Sequence, residues 1–240
     1  MNKILRINKI VKSFNKKIFV AGDKSLSIRW VLMASLSKKK STAYNLLISE
    51  DVLSAINCIK KLGSKVKLTN KKCEIIGNGF NFNFTNNLLI NAGNSGTLGR
   101  LVLGLLINSK KKFKLVGDKS LSKRDFSRII IPLKKFGAKF ETKKNKLPIK
   151  MTGLDDPKPI KYFEKKGSAQ CKSAIMFAGL KTKGLTSIKA KKSRSHTEIM
   201  FKHMKIPIKI KKTKNFDYIK LKGIKKVNNL NYKIPGDISS

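Results

Sequence analysis

The apolar and polar positions follow the same order three times along the chain. Each time, a helical stretch rich in Leu, Ala, Met and Val is followed by a short strand, an amphipathic helix and two strands around a polar turn. The three apolar stretches cover residues 28–36, 98–107 and 173–180. Repeated supersecondary units pack around a shared core. The pattern therefore predicts one α/β (α+β) domain made of three helix–strand–helix–strand–strand units.

The amphipathic helices have recognisable ends. In the first unit Ser49 is placed to cap the helix and Gly63 to end it, and in the second unit Gly137 ends the helix. The third helix is shorter and stops before Pro207. The predicted strands cover residues 41–47, 65–69, 73–76, 112–116, 138–142, 147–151, 185–190, 206–210 and 218–221.

Two segments lie outside the repeat. Residues 1–21 have the pattern of a hairpin, with strands over 4–10 and 16–21. Residues 235–240 have the glycine and capping chemistry that opens a helix, but no helical pattern follows them. We therefore expect the chain to be a fragment of a longer protein.

Composition adds a strong positive charge. The chain has 55 basic and 13 acidic residues, and its formal net charge of +42 is compatible with nucleic-acid binding. Most of the basic residues are lysines spread along the whole chain, and they are not interleaved with aromatic side chains that could stack on bases. Abundant Lys, Asn and Ile also follow from an AT-rich genome. We therefore expect that nucleic acid is not the partner, and we keep a polyanion-binding module on the same fold as the alternative function.

Other classes of protein find little support. No apolar run reaches the length of about 20 residues that spans a bilayer, and the N-terminus has no signal-peptide pattern, so we expect a soluble, cytoplasmic protein. Cys58, Cys73 and Cys171 form no CxxC pair and are expected to be reduced packing thiols. His196 and His203 lack the clustered ligands of a metal site.

Three helix openings could bind anions. Segments 22–25, 93–96 and 167–170 combine Gly with Ser, Asn or Asp where an apolar helix begins, and helix N-termini attract negative charge. Simple capping explains any single opening as well. If the repeat is also a spatial symmetry, however, the residues around the openings converge into one basic pocket for phosphates or carboxylates. These residues are Lys24, Ser25, Arg29, Asn94, Gly96, Thr97, Arg100, Arg124, Ser168, Gln170, Ser193 and Arg194.

Six motifs in the right order resemble those of the EPSP synthases, the 3-phosphoshikimate 1-carboxyvinyltransferases. They are GDKSLSIR at residues 22–29, NSGTLGR at 94–100, GDKSLSKR at 117–124, SAQCKS at 168–173, SRSHTE at 193–198 and PGDISS at 235–240. The chain departs from the usual family residues at Ile28, Trp30, Asp125 and Ser195. The resemblance covers nearly the whole chain.

The resemblance implies an inside-out α/β barrel of the enolpyruvyl transferase type. Residues 22–234 would be one complete three-unit domain, residues 1–21 a strand pair of a split second domain, and residues 235–240 the crossover back into that domain. The missing C-terminal part would carry the catalytic acid and base, so the fragment alone is expected to be inactive. The full-length protein would be a cytoplasmic monomer.

The resemblance also implies the reaction. The enolpyruvyl group of phosphoenolpyruvate would be transferred to the 5-hydroxyl of shikimate 3-phosphate with release of phosphate, without a metal or organic cofactor. Shikimate 3-phosphate would be bound by Lys24, Ser25, Arg29, Ser168, Ala169, Gln170 and Ser193. Phosphoenolpyruvate would be bound by Lys24, Gly96, Arg124 and Gln170, with Asn94, Thr97 and Arg100 in support. No catalytic residue is identified in this chain.

Overall fold

Three similar units of helices and strands make up the structure, a computed structural model that describes residues 8, 13, 15, 18–70 and 72–238. The first unit contains α1 (Lys24–Ala34), β1 (Ser41–Tyr44), α2 (Glu50–Lys61), β2 (Lys65–Leu68) and β3 (Lys72–Ile76). The second contains β4 (Leu88–Asn91), α3 (Gly96–Leu105), β5 (Phe113–Val116), α4 (Lys119–Ser122), α5 (Ser127–Lys135), β6 (Lys139–Glu141) and β7 (Ile149–Thr152). The third contains β8 (Lys161–Glu164), α6 (Ala169–Gly179), β9 (Leu185–Lys191), α7 (His196–His203), β10 (Ile208–Lys212) and β11 (Phe216–Lys222), and β12 (Tyr232–Lys233) follows it. The predicted threefold repeat is confirmed.

Each unit has its own four-stranded sheet with the same plan. The strand orders are β12–β1–β3–β2, β4–β5–β7–β6 and β8–β9–β11–β10, and in each sheet one parallel pair is followed by two antiparallel pairs. The predicted unit lacked the first strand. That first strand is β12, β4 or β8, and β12, with two residues, is too short for a recognisable alternation.

The segment after the third unit completes the sheet of the first. β12 runs parallel to β1, with Ala43 opposite Tyr232 and Tyr44 opposite Lys233. The indole Nε1 of Trp30 donates to the carbonyl of Leu230 at 2.9 Å, which ties the same segment to α1. The first and third units are therefore joined by strand pairing and by a buried hydrogen bond.

The three apolar helices form the centre of the core. α3 is buried at every residue, and α1 and α6 are buried over most of their length, as expected for helices that are apolar on all sides. At Gly104 a Cβ atom would lie 2.2 Å from the carbonyl oxygen of Ala174, so only glycine lets the backbones of α3 and α6 approach this closely.

The amphipathic helices α2 and α5 end as predicted, but the start of α2 is stabilised by charged residues and not by a side-chain cap. Gly63 and Gly137 follow α2 and α5 with φ of +95° and +107°, which confirms both as helix terminators. The predicted N-cap position of Ser49 is confirmed, but its side chain makes no capping hydrogen bond. Its hydroxyl is buried and makes no hydrogen bond within the described residues. Glu50 and Asp51 in the first turn provide the favourable interaction with the helix dipole instead.

The chain enters and leaves the three units at one place. Gly22 and Gly236 form an antiparallel bridge, and the Asp23 N–H donates to the Pro235 carbonyl at 2.9 Å. The predicted N-terminal hairpin falls mostly on residues outside those described, and its described part, residues 18–21, is not in a strand. Within the described ranges, every helix is too short or too polar to cross a bilayer.

The three cysteines are free and buried, as predicted for packing thiols. Burial raises the pKa of Cys58, Cys73 and Cys171 to about 12. Because the thiolate is the reactive form, none of the three is a nucleophile at neutral pH.

Candidate anion-binding site

The N-terminal ends of α1, α3 and α6 are capped by side chains that differ in charge. Asp23 accepts a hydrogen bond from the Leu26 N–H at 2.6 Å, whereas the neutral hydroxyls of Ser95 and Ser168 cap α3 and α6 at 3.2 Å. Each of these caps takes up one of the four N–H groups at a helix start. The carboxylate of Asp23 weakens the attraction of the α1 end for an anion, but the α3 and α6 ends keep their positive potential. Capping and anion binding are therefore compatible at α3 and α6.

Arg29 of α1 connects that helix to α6 and α7. Its Nη1 donates to the Ser25 carbonyl at 3.0 Å, one helical turn away as the spacing predicts. Its Nε donates to the hydroxyl of Thr197 in α7 at 3.0 Å, and its Nη2 to that of Ser173 in α6 at 3.4 Å. Burial lowers the pKa of Arg29 to about 10, so the guanidinium remains charged at neutral pH.

Arg100 of α3 makes the corresponding connection between the second and third units. Its Nη1 donates to Oε1 of Gln170 at 2.7 Å, and the Gln170 amide donates to the hydroxyl of Thr97 at 3.1 Å. The guanidinium also lies 5.2 Å from the centre of the Phe126 ring. Burial, followed by the nearby Arg128 and Arg124, lowers the pKa of Arg100. Three arginines thus create a strongly positive potential at the starts of α3 and α6.

Gly96 lies directly against two of these arginines. A Cβ atom at Gly96 would be 2.8 Å from Nη1 of Arg100 and 3.0 Å from Nη1 of Arg124. Arg124 in turn donates to the Asn94 side-chain oxygen at 3.1 Å, and Asn94 donates to Asp118, the cap of α4, at 2.6 Å. Because Gly96 has no side chain, its backbone stays accessible to a ligand between two cations.

The remaining predicted residues are placed less tightly. Lys24 forms an ion pair with Asp51 of α2 at 3.3 Å and is half exposed. The carbonyl of Ala169 accepts from the Ser173 hydroxyl at 2.7 Å, which places it beside the Arg29 cluster. The hydroxyl of Ser193 is buried and without a hydrogen-bond partner among the described residues. Ser193 lies between β9 and α7, and Thr197 near the start of α7 accepts a hydrogen bond from Arg29.

The site is an open surface. Asp118, Lys119, Ser120, Lys123 and Arg124 line a wide depression of about 590 Å³ beside it. Only Arg124 of the predicted ligands lines that depression. Hydrogen bonds link Ser25, Arg29, Ser173 and Ala169, and Gln170, the next residue in the chain, is linked to Arg100 and through it to Gly96, beside which Arg124 lies.

Comparison with known proteins identifies the family of the chain. Residues 8–240 match the family model described as EPSP synthase (3-phosphoshikimate 1-carboxyvinyltransferase). The chain belongs to the EPSP synthase family. It is 39% identical over 232 residues to the 3-phosphoshikimate 1-carboxyvinyltransferase of Caldicellulosiruptor bescii, a match that covers 95% of this chain and 53% of the relative. The enzyme of that name from Streptococcus agalactiae is 38% identical over 226 residues, with 93% of this chain and 52% of the relative covered.

Solved EPSP synthase structures have the same fold. The EPSP synthase of Acinetobacter baumannii superimposes with a TM-score of 0.85 at 33% sequence identity, covering 93% of this chain and 50% of that one. The fold is thus of the enolpyruvyl transferase type, as the motifs indicated. The chain spans about half the length of the curated EPSP synthases that it matches.

Sequence reasoning missed two side chains of the site. Ser173 and Thr197 lie within quoted motifs, but neither was assigned a contact, and in the structure both hold Arg29. Their hydroxyl oxygens are 2.7 Å apart. Ser173 comes one helical turn after Ala169, and this spacing could have placed its side chain beside that predicted ligand. No signal in the sequence brings Thr197, 168 positions from Arg29, to its guanidinium.

Proposed function

We propose that this chain provides the shikimate 3-phosphate-binding part of an enzyme that transfers the enolpyruvyl group of phosphoenolpyruvate to the 5-hydroxyl of shikimate 3-phosphate. The observation that carries the proposal is the linked group of residues from Ser25 to Arg124, which brings cations, hydroxyls and two neutral-capped helix starts close together. Such groups bind phosphate and carboxylate oxygens through charge-assisted hydrogen bonds.

The two substrates would share this surface. Shikimate 3-phosphate would contact Lys24, Ser25, Arg29, Ser168, Ala169, Gln170 and Ser193. Phosphoenolpyruvate would contact Lys24, Gly96, Arg124 and Gln170, with Asn94, Thr97 and Arg100 holding those groups in place. Arg29 is held by two hydroxyls of the third unit and Gln170 by Arg100, so both are oriented before a ligand arrives.

The reaction needs a proton donor and a proton acceptor. The methylene of phosphoenolpyruvate is protonated, the 5-hydroxyl attacks, and phosphate leaves from a tetrahedral intermediate. Several acids around the described site are already engaged, because Asp23 and Asp118 cap helices, Glu164 accepts the N–H groups of Lys166 and Ser168, and Glu198 forms an ion pair with Lys172. We assign the acid and base to the half of the relatives that this chain does not match, and no metal or organic cofactor is required.

The same proposal includes the domain plan. Residues 22–234 would be a complete domain, and residues 1–21 and 235–240 would belong to a second one. The paired crossings support this, since the Asp237 N–H donates to the Ala21 carbonyl at 3.0 Å beside the Gly22–Gly236 bridge. Ile18, Phe19 and Ile238 are strongly exposed next to those crossings. The full-length protein would be a cytoplasmic monomer.

Calorimetric titration of the 240-residue chain tests the proposal. At an ionic strength of about 0.15 M, the chain should bind shikimate 3-phosphate more tightly than inorganic phosphate, and Arg29→Ala should weaken binding at least about tenfold because a charged hydrogen bond is lost. Lys139→Ala, an exposed charge change on β6, is the matched control. Equal affinity for both ligands, or equal effects of both variants, would contradict a specific site. We expect no steady phosphate release when phosphoenolpyruvate is added as well.

A further inference from the structure

The outward face of the third sheet combines exposed aromatic rings with lysines in a regular array. Across the four strands, Phe163, Lys189, Tyr218 and Lys211 lie directly opposite one another in register. Phe163 and Tyr218 are 39% and 38% exposed. With inter-strand spacings of about 4.8 Å, this row is about 14 Å long. Large rings usually lie in the core, so two of them on one solvent face require an explanation.

The rings and the ammonium groups are in direct contact. The Nζ atom of Lys189 lies 4.8 Å from the ring centre of Phe163, 4.6 Å from that of Phe216 and 5.8 Å from that of Tyr218. Phe163 and Phe216 meet edge to face, with centres 5.6 Å apart. The cation therefore holds three rings in a fixed arrangement. Rings held in this way can accept a further planar group without much loss of side-chain entropy.

The charges on this face have a single sign. Along β8–β11 the two carboxylates, Glu164 and Asp217, point inward and are buried. Asp217 lies 3.5 Å from the buried Lys172, and Glu164 accepts backbone N–H groups. The outward positions carry lysines instead, and the exposed ones are Lys161, Lys191, Lys209, Lys211, Lys220 and Lys222. This face therefore attracts a polyanion and has no carboxylate to offset the attraction.

The other two sheets serve as internal comparisons, because they share the same plan. The first sheet carries Glu74 on its outward side, paired with Lys72 at 2.9 Å. The second carries Glu141, paired with Lys112 at 2.5 Å. Neither sheet has a lysine among three rings within the described residues. A lysine-rich composition would affect all three sheets alike. It therefore does not explain why the third sheet has a cluster of rings and no outward carboxylate.

We propose that the outward face of the third sheet, formed by β8–β11, binds single-stranded nucleic acid, with bases stacked on Phe163, Phe216 and Tyr218 and phosphates neutralised by the surrounding lysines. An open sheet with exposed rings and flanking cations is a common platform for unpaired bases. A duplex hides its base faces, so it can use only the lysines. The argument against nucleic acid, that lysines and aromatic residues are not interleaved, holds along the sequence but not on this sheet. The proposal is independent of enolpyruvyl transfer.

Fluorescence anisotropy with labelled oligonucleotides of about 15 residues tests the proposal on the 240-residue chain. Single-stranded DNA and RNA should bind more tightly than a duplex of the same sequence at an ionic strength of about 0.15 M. Substituting Phe163, Phe216 and Tyr218 together by Leu keeps every charge and should weaken single-strand binding at least about tenfold, because a stacked base contributes about 1–3 kcal/mol. Binding of the duplex should change little.

The lysines need a matched control, because any loss of charge weakens polyanion binding. The pair Lys189→Ala and Lys220→Ala on the third sheet is compared with Lys114→Ala and Lys139→Ala on the second, each removing two charges. The first pair should weaken binding at least about tenfold more than the second. The proposal is overturned if the two pairs have equal effects, if the Leu variant binds normally, or if the duplex binds as well as the single strand. Circular dichroism of each variant shows whether it folds, and single substitutions replace the triple one if it does not.

Discussion

The Nε atom of Arg29 donates to the hydroxyl of Thr197 at 3.0 Å, and this bond joins the first unit of the repeat to the third. The same hydroxyl lies 2.7 Å from that of Ser173, so two small polar side chains fix the orientation of a buried guanidinium. Part of the site therefore forms where residues of different units meet. Arg124 is oriented within the second unit by Asn94, whereas Arg29 and Arg100 depend on bonds to residues of the third unit.

Removing the Thr197 hydroxyl should disturb both the fold and the site. Thr197→Val keeps the shape but leaves the buried Nε of Arg29 without an acceptor, so we expect the free energy of unfolding to fall by about 1–3 kcal/mol. The affinity for shikimate 3-phosphate should fall as well, since Arg29 loses its orientation. Urea denaturation and calorimetric titration measure the two effects.

The chain provides a matched control for this change. Thr186 is also buried, but its hydroxyl has no hydrogen-bond partner within the described residues. Thr186→Val should therefore leave the stability unchanged or raise it, and binding should be unaffected. If the two Val variants behave alike, the Arg29–Thr197 bond has no special role.

Gly96→Ala should affect binding more than folding. The new methyl group would press on the ends of Arg100 and Arg124, which are flexible and can move at little cost in stability. Their displacement should weaken the binding of phosphoenolpyruvate, measured by titration of the chain in the presence of shikimate 3-phosphate. Gly99→Ala, three residues further along α3, meets the Phe126 ring at an ordinary 3.5 Å and is the control. Gly99→Ala should raise stability by about 0.5–1 kcal/mol and leave binding intact, and the reverse pattern would refute the assignment of Gly96.

The sequence revealed the repeat and most of the site for one physical reason. Periodicity, glycines after helices and polar groups at helix starts are local signals, and they located α1, α3 and α6 and the residues beside them. The strand β12 was missed because it has two residues, and its partner β1 lies far earlier in the chain, with Ala43 opposite Tyr232. Thr197 and the aromatic face of the third sheet were missed because they depend on contacts between distant segments.

The buried charges of Lys172, Glu198 and Asp217 should determine how α6 packs against α7. Lys172 is fully buried, with its Nζ 2.6 Å from Glu198 and 3.5 Å from Asp217. Lys172→Met would leave two carboxylates buried without a cation, so we expect a loss of about 3–5 kcal/mol in the free energy of unfolding. Urea denaturation measures this loss. The exposed pair Lys183–Asp156 is the comparison, and Lys183→Met should change the stability by no more than about 1 kcal/mol. A small loss for Lys172→Met would mean that the cluster does not hold the two helices.

Stability should fall in weak acid because of His196. Burial lowers its pKa most, followed by the nearby Arg29, and Arg194 acts in the same direction while Asp23 and Asp237 oppose it. A group whose pKa is lower in the folded state takes up protons more readily when unfolded, so its contribution is present above the unfolded pKa of about 6.5 and is lost as the pH falls through the folded value. Urea denaturation across that range should show stability falling with pH.

His196→Gln should flatten this dependence, because the side chain no longer titrates. His203→Gln removes the other histidine, which is exposed at the far end of the same helix, and is the comparison variant. Shikimate 3-phosphate adds a second readout, since a dianion bound at Arg29 would stabilise a protonated imidazole beside it. Saturating ligand should therefore shift the loss of stability of the unsubstituted chain to lower pH by more than it does for His196→Gln. If both variants keep the original slope, the imidazole at the start of α7 does not sense the site.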